Sequence, residues 1–208
     1  MKTRRSFIFS TFALFLLSML TISSIYGARV ELKSAKAAPP PKSGYKHEAS
    51  EVEFPQDIGE FEMGMITNFD KYGFNTSIRY SKLTTPPVSV TVYLYPIMRG
   101  GSFSEVLINE AKVVEHSILY SGEYENSARD FIAICHDEHE LPGVHAEYVS
   151  KKENSSKYTI LFLFVLQGWT HKYRITAYGD KVETYSLCEQ VVSAITLQHS
   201  KRYSRKWI

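Results

Sequence analysis

The chain has 208 residues, 44% of them hydrophobic, which is enough apolar content for one well-buried domain. It carries 24 Lys and Arg against 22 Asp and Glu, a formal charge of +2 that gives no global attraction to polyanions and argues against nucleic acid as a partner. Two cysteines are too few to fix a disulfide framework.

The first residues read as a targeting signal. Lys2, Arg4 and Arg5 precede an apolar run from Phe7 to Ile22, and small residues at Gly27 and Ala28 suit cleavage. The run falls short of the ~20 residues that span a bilayer. A removed secretory peptide over residues 1–27 is therefore favoured over an uncleaved, membrane-anchoring helix. Ala35-Lys36-Ala37 repeats the small-x-small pattern but lies far from the apolar run. The letters TRRSFIF resemble a twin-arginine export signal, yet Phe9 stands where a lysine is usual, so the general secretory route is favoured. No cysteine follows the run to take a lipid. The expected location is periplasmic or secreted. Without residues 1–27 the charge falls to −1, since 24 less 3 leaves 21 bases against 22 acids.

Residues 28–50 are rich in Ala, Pro, Lys and Ser and include Pro39-Pro40-Pro41. With little to bury, they read as an extended, disordered linker. A single domain is expected over residues 51–199. Its first strand runs from Phe61 to Phe69 and its second from Gly73 to Tyr80, joined by a turn at Lys71-Tyr72-Gly73. In VSVTVYLY, Val88, Val90, Val92 and Leu94 alternate with polar or aromatic residues, a period of two that marks a half-buried strand. A helix follows Gly100-Gly101. Ser102 and Glu105 form a capping box, and Val106, Leu107, Ala111, Val114, Ile118 and Leu119 make one stripe, with Gly122 placed to end it.

Strands are expected at Ala128–Ile134, Val144–Val149, Tyr158–Leu166 and Trp169–Tyr178. The continuous run LFLFVL predicts a central strand covered on both faces. Asp180 and Glu183 begin a last helix whose buried face holds Val182, Tyr185, Cys188, Val191, Val192 and Ile195. The sum is an α+β domain: an antiparallel sheet of about six strands packed by two amphipathic helices. A basic, aromatic tail occupies residues 200–208.

The paired strands YTILFLFVLQGWTHKYRITAY and the helix VETYSLCEQVVSAI, in the order helix, strands, helix from Ser104 to Leu197, resemble the PsbP-like group of α+β domains. That group takes in lumenal photosynthetic proteins, a nuclear-import accessory factor and many exported bacterial proteins. The segments FPQDIGEFEMGMI and VSVTVYLY are also similar to the openings of uncharacterised bacterial envelope proteins. The resemblance covers about 140 residues in pattern only. It implies a non-catalytic, assisting function and transfers no site residue.

One stretch invites metal chemistry. CHDEHELPGVH places Cys135, His136, His139 and His145 within eleven residues. A zinc site needs four such ligands converging at about 2.0–2.3 Å. The spacing matches no common finger, and Pro142-Gly143 disfavours a helix that would hold His136 and His139 on one face. A solvated loop with adventitious zinc or copper affinity is the preferred reading. Neither a nucleophile elbow nor a phosphate-binding Gly-rich loop occurs. Cys135 and Cys188 could form a disulfide, although Cys188 on the apolar stripe also reads as a buried thiol.

Aromatic residues offer a second possibility. Tyr93, Tyr95, Trp169 and Tyr173 could form a ligand or partner surface on the sheet, beyond what strand preference explains. The tail bases Lys201, Arg202, Arg205 and Lys206, with Trp207, could lie on an anionic membrane. Asn75-Thr76-Ser77 and Asn154-Ser155-Ser156 are glycosylation acceptors only in a host with that machinery. The expected function is that of an exported, non-catalytic binding or accessory protein of the cell envelope, engaging a protein or a small hydrophobic ligand. The rivals are a metal-dependent enzyme using the Cys135–His145 segment and a membrane-anchored subunit.

Overall fold

Alternating apolar and polar side chains dominate the chain beyond Phe61, and the computed structural model pairs them into one antiparallel sheet of nine strands. The structure describes residues 36–82, 87–97, 100–136, 139–179 and 181–204. Side chains at 134–140, 182–183 and 197–204 lie outside that description, as do the expected targeting signal and the end of the basic tail. The described residues belong to one unit, Ser34–Ile208.

The strands are β1 (Lys36–Ala38), β2 (Tyr45–Lys46), β3 (Glu53–Phe54), β4 (Asp57–Ile58), β5 (Phe61–Asn68), β6 (Thr76–Lys82) and β7 (Val88–Pro96). Helix α1 (Phe103–Leu119) leads to β8 (Tyr124–His136), β9 (His139–Ser150), β10 (Lys157–Leu166) and β11 (Trp169–Tyr178), and α2 (Lys181–Ser204) closes the chain. The sheet runs β1-β5-β6-β7-β11-β10-β9-β8, with β4 also paired to β5, while β2 and β3 form a separate ribbon.

Local chemistry explains the main elements. The side chain of Ser102 accepts from the Glu105 N–H, and Glu105 returns the bond to the Ser102 N–H, so α1 starts on the expected capping box. Gly122 takes φ +72°, which only glycine adopts without strain, and its N–H bonds the Leu119 carbonyl. The turn between β5 and β6 is built on Asp70. Its carboxylate accepts the N–H groups of Tyr72, Phe74 and Asn75, and together these hold its pKa below the usual range against the opposing effect of burial.

Strand β10 lies between β9 and β11 and is buried on both faces. Ile160, Phe162 and Phe164 join a large core with β5, β6, β7 and β11, sealed by Cys188, Val191, Val192 and Ile195 of α2. Leu161, Leu163 and Val165 face the other way, against α1. Full burial of each such side chain is worth about 1.5–3 kcal/mol, so β10 supports both layers.

Two expectations are corrected here. The α+β arrangement of about six strands packed by two helices is overturned: the chain is mostly β, with nine strands in the main sheet. The helices also cover the sheet unequally, because α1 packs mainly on β8, β9 and β10. The linker expected to be disordered as far as residue 50 enters the fold at Lys36. Ala37 of β1 pairs with Thr67, and Tyr45 pairs with Phe54. His47 is fully buried; its Nδ1 lies 2.7 Å from Ser50 Oγ and its Nε2 lies 2.6 Å from the Gly73 carbonyl. Backbone pairing and one polar anchor order this segment, neither of which leaves an apolar pattern to read.

Pro142 and Gly143 do not break the chain either. They lie within β9, and Gly143 is where β9 begins to pair with β10, opposite Phe164. The Phe164 ring lies across Gly143 so closely that a Cβ there would come within 2.4 Å of it. Gly143→Ala is expected to lower unfolding free energy by about 1–3 kcal/mol through overpacking at the central strand, measured by urea denaturation. An unchanged midpoint would show that the ring can move aside.

Candidate functional site

The suspected metal segment folds as a hairpin. Cys135 pairs with Glu140 and His136 with His139 at the ends of β8 and β9, so the segment is not the solvated loop that was expected. His145 stands six residues further along β9 than His139, about 20 Å at ~3.4 Å per residue. The backbone thus sets His145 apart from Cys135, His136 and His139, whose side chains lie outside the described residues. Among the described residues no group of three or more His, Cys, Asp or Glu could hold a metal. Cys188, on the buried face of α2, is a free thiol whose pKa burial pushes up to about 12, while the side chain of Cys135 lies outside the described residues.

His145 has a different set of partners. It faces α2, where its Nε2 lies 2.5 Å from the Tyr185 hydroxyl, which donates at 2.5 Å to Glu147 Oε1. Lys181 Nζ donates to the other oxygen of Glu147 at 2.8 Å. A phenol has one proton, so the Tyr185 oxygen must accept from an Nε2–H of His145. Imidazole, phenol, carboxylate and ammonium thus tie the first turns of α2 to β9. Burial lowers the His145 pKa. Hydrogen bonds from Lys181 and Tyr185 hold Glu147 below its ordinary value, although burial opposes them. No signal in the sequence joins residues forty positions apart; the network emerges only from the packing of α2.

The aromatic expectation divides between the two faces. Trp169 and Tyr173 point toward α2. Tyr173 is fully buried with its hydroxyl 2.6 Å from Thr196 Oγ1, and Trp169 meets the His47 ring edge-on at 5.0 Å. Tyr173 belongs to the core, and Trp169, half-buried, packs against the edge of that core. Tyr93 and Tyr95 lie on the opposite face, which α1 leaves bare from β11 to β5. The Tyr95 hydroxyl donates to Glu110 of α1 at 3.1 Å and marks the margin of the helix.

Register defines the bare half-face. Ser77, Tyr93 and Lys172 form one cross-strand row, and Arg79, Thr91 and Arg174 form the next. Arg79 is exposed; Thr91, Tyr93, Lys172 and Arg174 are half-buried. Lys172 Nζ sits over the Tyr93 ring, 3.9 Å from its centroid, and Phe69 stacks beside Tyr93 at 6.4 Å. Burial, and after it the neighbouring Arg174 charge, push the Lys172 pKa down to about 8. The residues sequence reasoning missed are Arg79, Lys172 and Arg174. Their signal was available: each sits on the polar phase of an alternating strand.

A cavity of about 640 Å³ lies elsewhere, between the start of α1 and the ends of β9 and β10, lined by Ile97, Phe103, Val106, Leu141, Pro142 and Val165. A second, of about 510 Å³, borders β1 and β5. No helix among the described residues is long and apolar enough to cross a membrane. The tail bases Lys201 and Arg202 fall on the last turns of α2, while Arg205, Lys206 and Trp207 lie outside the described residues. No protein-family model and no curated protein matches the chain.

Two of the three buried histidines among the described residues, His47 and His145, tie stability to pH. His47 and His145 are held below their ordinary value of 6.5, chiefly by burial, so the folded protein binds fewer protons than the unfolded one. Their contribution is complete above pH 6.5 and is lost as pH falls through the folded values. Urea midpoints from pH 8 down to pH 5 are expected to decline first below pH 6.5, with a shallower decline in His145→Gln. Tyr185→Phe, which removes the bridge between His145 and Glu147, is expected to cost about 1–2 kcal/mol at pH 8. A flat profile in the native protein would contradict the assigned burial.

Proposed function

We propose that this chain is an exported, non-catalytic binding or accessory protein of the cell envelope that works through the bare half-face of its sheet. The observation that supports the reading most is that half-face itself. Large outward side chains and cations stand on strands β6, β7 and β11, on the face where no helix among the described residues lies above them. Lys172, whose pKa burial pushes down to about 8, rests on the Tyr93 ring, an arrangement that suits recognition of a ligand by charge. The basic, apolar N-terminus supports removal of residues 1–27 and passage across the membrane. The PsbP-like pattern of strands and closing helix belongs to the same proposal, as a kinship in style of function.

A photoreactive residue placed at Ser89, on the half-face, is expected to give one discrete cross-linked product in intact cells. The same residue at Asn109, on the exposed side of α1, is expected to give none. Equal products from both positions, or none from Ser89, would overturn the half-face as the working surface. Mass spectrometry of the native protein is expected to find it shortened by residues 1–27.

A further inference from the structure

The charges on the bare half-face narrow the chemistry of whatever covers it. Elsewhere in the fold, basic side chains near the sheet meet carboxylates: Lys82 meets Glu60 at 2.6 Å, Arg129 meets Glu115 at 3.1 Å and Lys181 meets Glu147 at 2.8 Å. Among the described residues no ion pair reaches Arg79, Arg174 or Lys172. Glu110 is the carboxylate felt by Lys172, and it already accepts from Tyr95. Three like charges thus share this face with no ion pair among the described residues, Glu110 being the one carboxylate whose charge Lys172 feels, and their mutual repulsion raises the free energy of the unliganded face.

Spacing and shape indicate what would neutralise them. Arg174 and Lys172 are alternate residues on β11, about 7 Å apart along the strand, and Arg79 lies two strands from Arg174, about 10 Å away. Carboxylates on alternate residues of an extended chain, or one turn apart on a helix, repeat at similar intervals. The bare strands together measure about 15–20 Å across, room for one helix or a pair of strands. Both described cavities lie away from this face, so it presents a surface suited to a macromolecule.

We propose that the half-face recognises an acidic segment of a partner protein, whose carboxylates meet Arg79, Arg174 and Lys172 around the Thr91 hydroxyl. The proposal rests on the half-face being the working surface. Lys172 supplies a charge pinned on Tyr93, so little side-chain freedom is lost when it pairs. The guanidinium groups supply forked donors for bidentate contacts with carboxylates.

The probe is a short synthetic peptide of alternating Glu and Ala, titrated into the native protein labelled with ¹⁵N. Amide shifts are expected at Thr91, Tyr93, Lys172 and Arg174, and affinity should fall with added salt. The double variant Arg79→Gln/Arg174→Gln is expected to bind about tenfold more weakly, with its melting curve retained. The control variant Lys151→Gln/Lys152→Gln, on an exposed turn, is expected to bind like the native protein. Equal weakening in both variants, or shifts away from the half-face, would overturn the proposal. So would preferential binding of phosphatidylglycerol vesicles that the same arginine substitutions abolish. A cross-link from Ser89 without any effect of the peptide would keep the working surface and remove the acidic partner. Loss of that cross-link would remove both.

Discussion

Everything in this fold depends on β10 being apolar in both directions. A strand with one polar face can border solvent; LFLFVL cannot, and it must be covered on each side. Phe162 and Phe164 draw α2 and the earlier strands onto one face, while Leu161, Leu163 and Val165 draw α1 onto the other. The two helices answer two separate demands set by the same ten residues. Gly143 belongs to the same constraint, since only a residue without a side chain lets the Phe164 ring fill the space beside β9.

The unequal covering follows from the sheet's width. A helix about 10 Å across cannot shield nine strands. Helix α1 is placed where Leu163 and Val165 need it, and the strands beyond β11 keep a polar phase on that side. Ser, Thr, Tyr, Lys and Arg therefore occupy positions that would be apolar under a helix. The candidate binding surface is the part of the sheet that the core requirement did not reach. The Tyr185, His145, Glu147 and Lys181 network has the opposite character: it lies between α2 and β9, and its groups satisfy one another.

Legibility in the sequence tracked how local each cause was. The capping box at Ser102, the alternation of β7 and the doubly buried β10 were readable because each depends on residues a few positions apart. The order of residues 36–50 was not, because it comes from pairing with β5 and from His47 reaching Gly73, twenty-six positions away. The segment CHDEHELPGVH misled for a related reason. Charged side chains and a Pro-Gly pair resemble a loop, yet Pro142 precedes the residues of β9 that pair with β10, and the ladder to β8 continues through it. For the aromatic residues, composition named Tyr93, Tyr95, Trp169 and Tyr173 together; only register separates the first two from the pair on the α2 side.

The place of α2 at the end of the chain has a consequence for biogenesis. The large core takes residues from Val52 onward, but Cys188, Val191, Val192 and Ile195, which close it, follow every strand in chain order. Until α2 has been made the growing polypeptide has no means of hiding its greasiest surface. Docking of that helix is the step that commits the earlier strands to the native state.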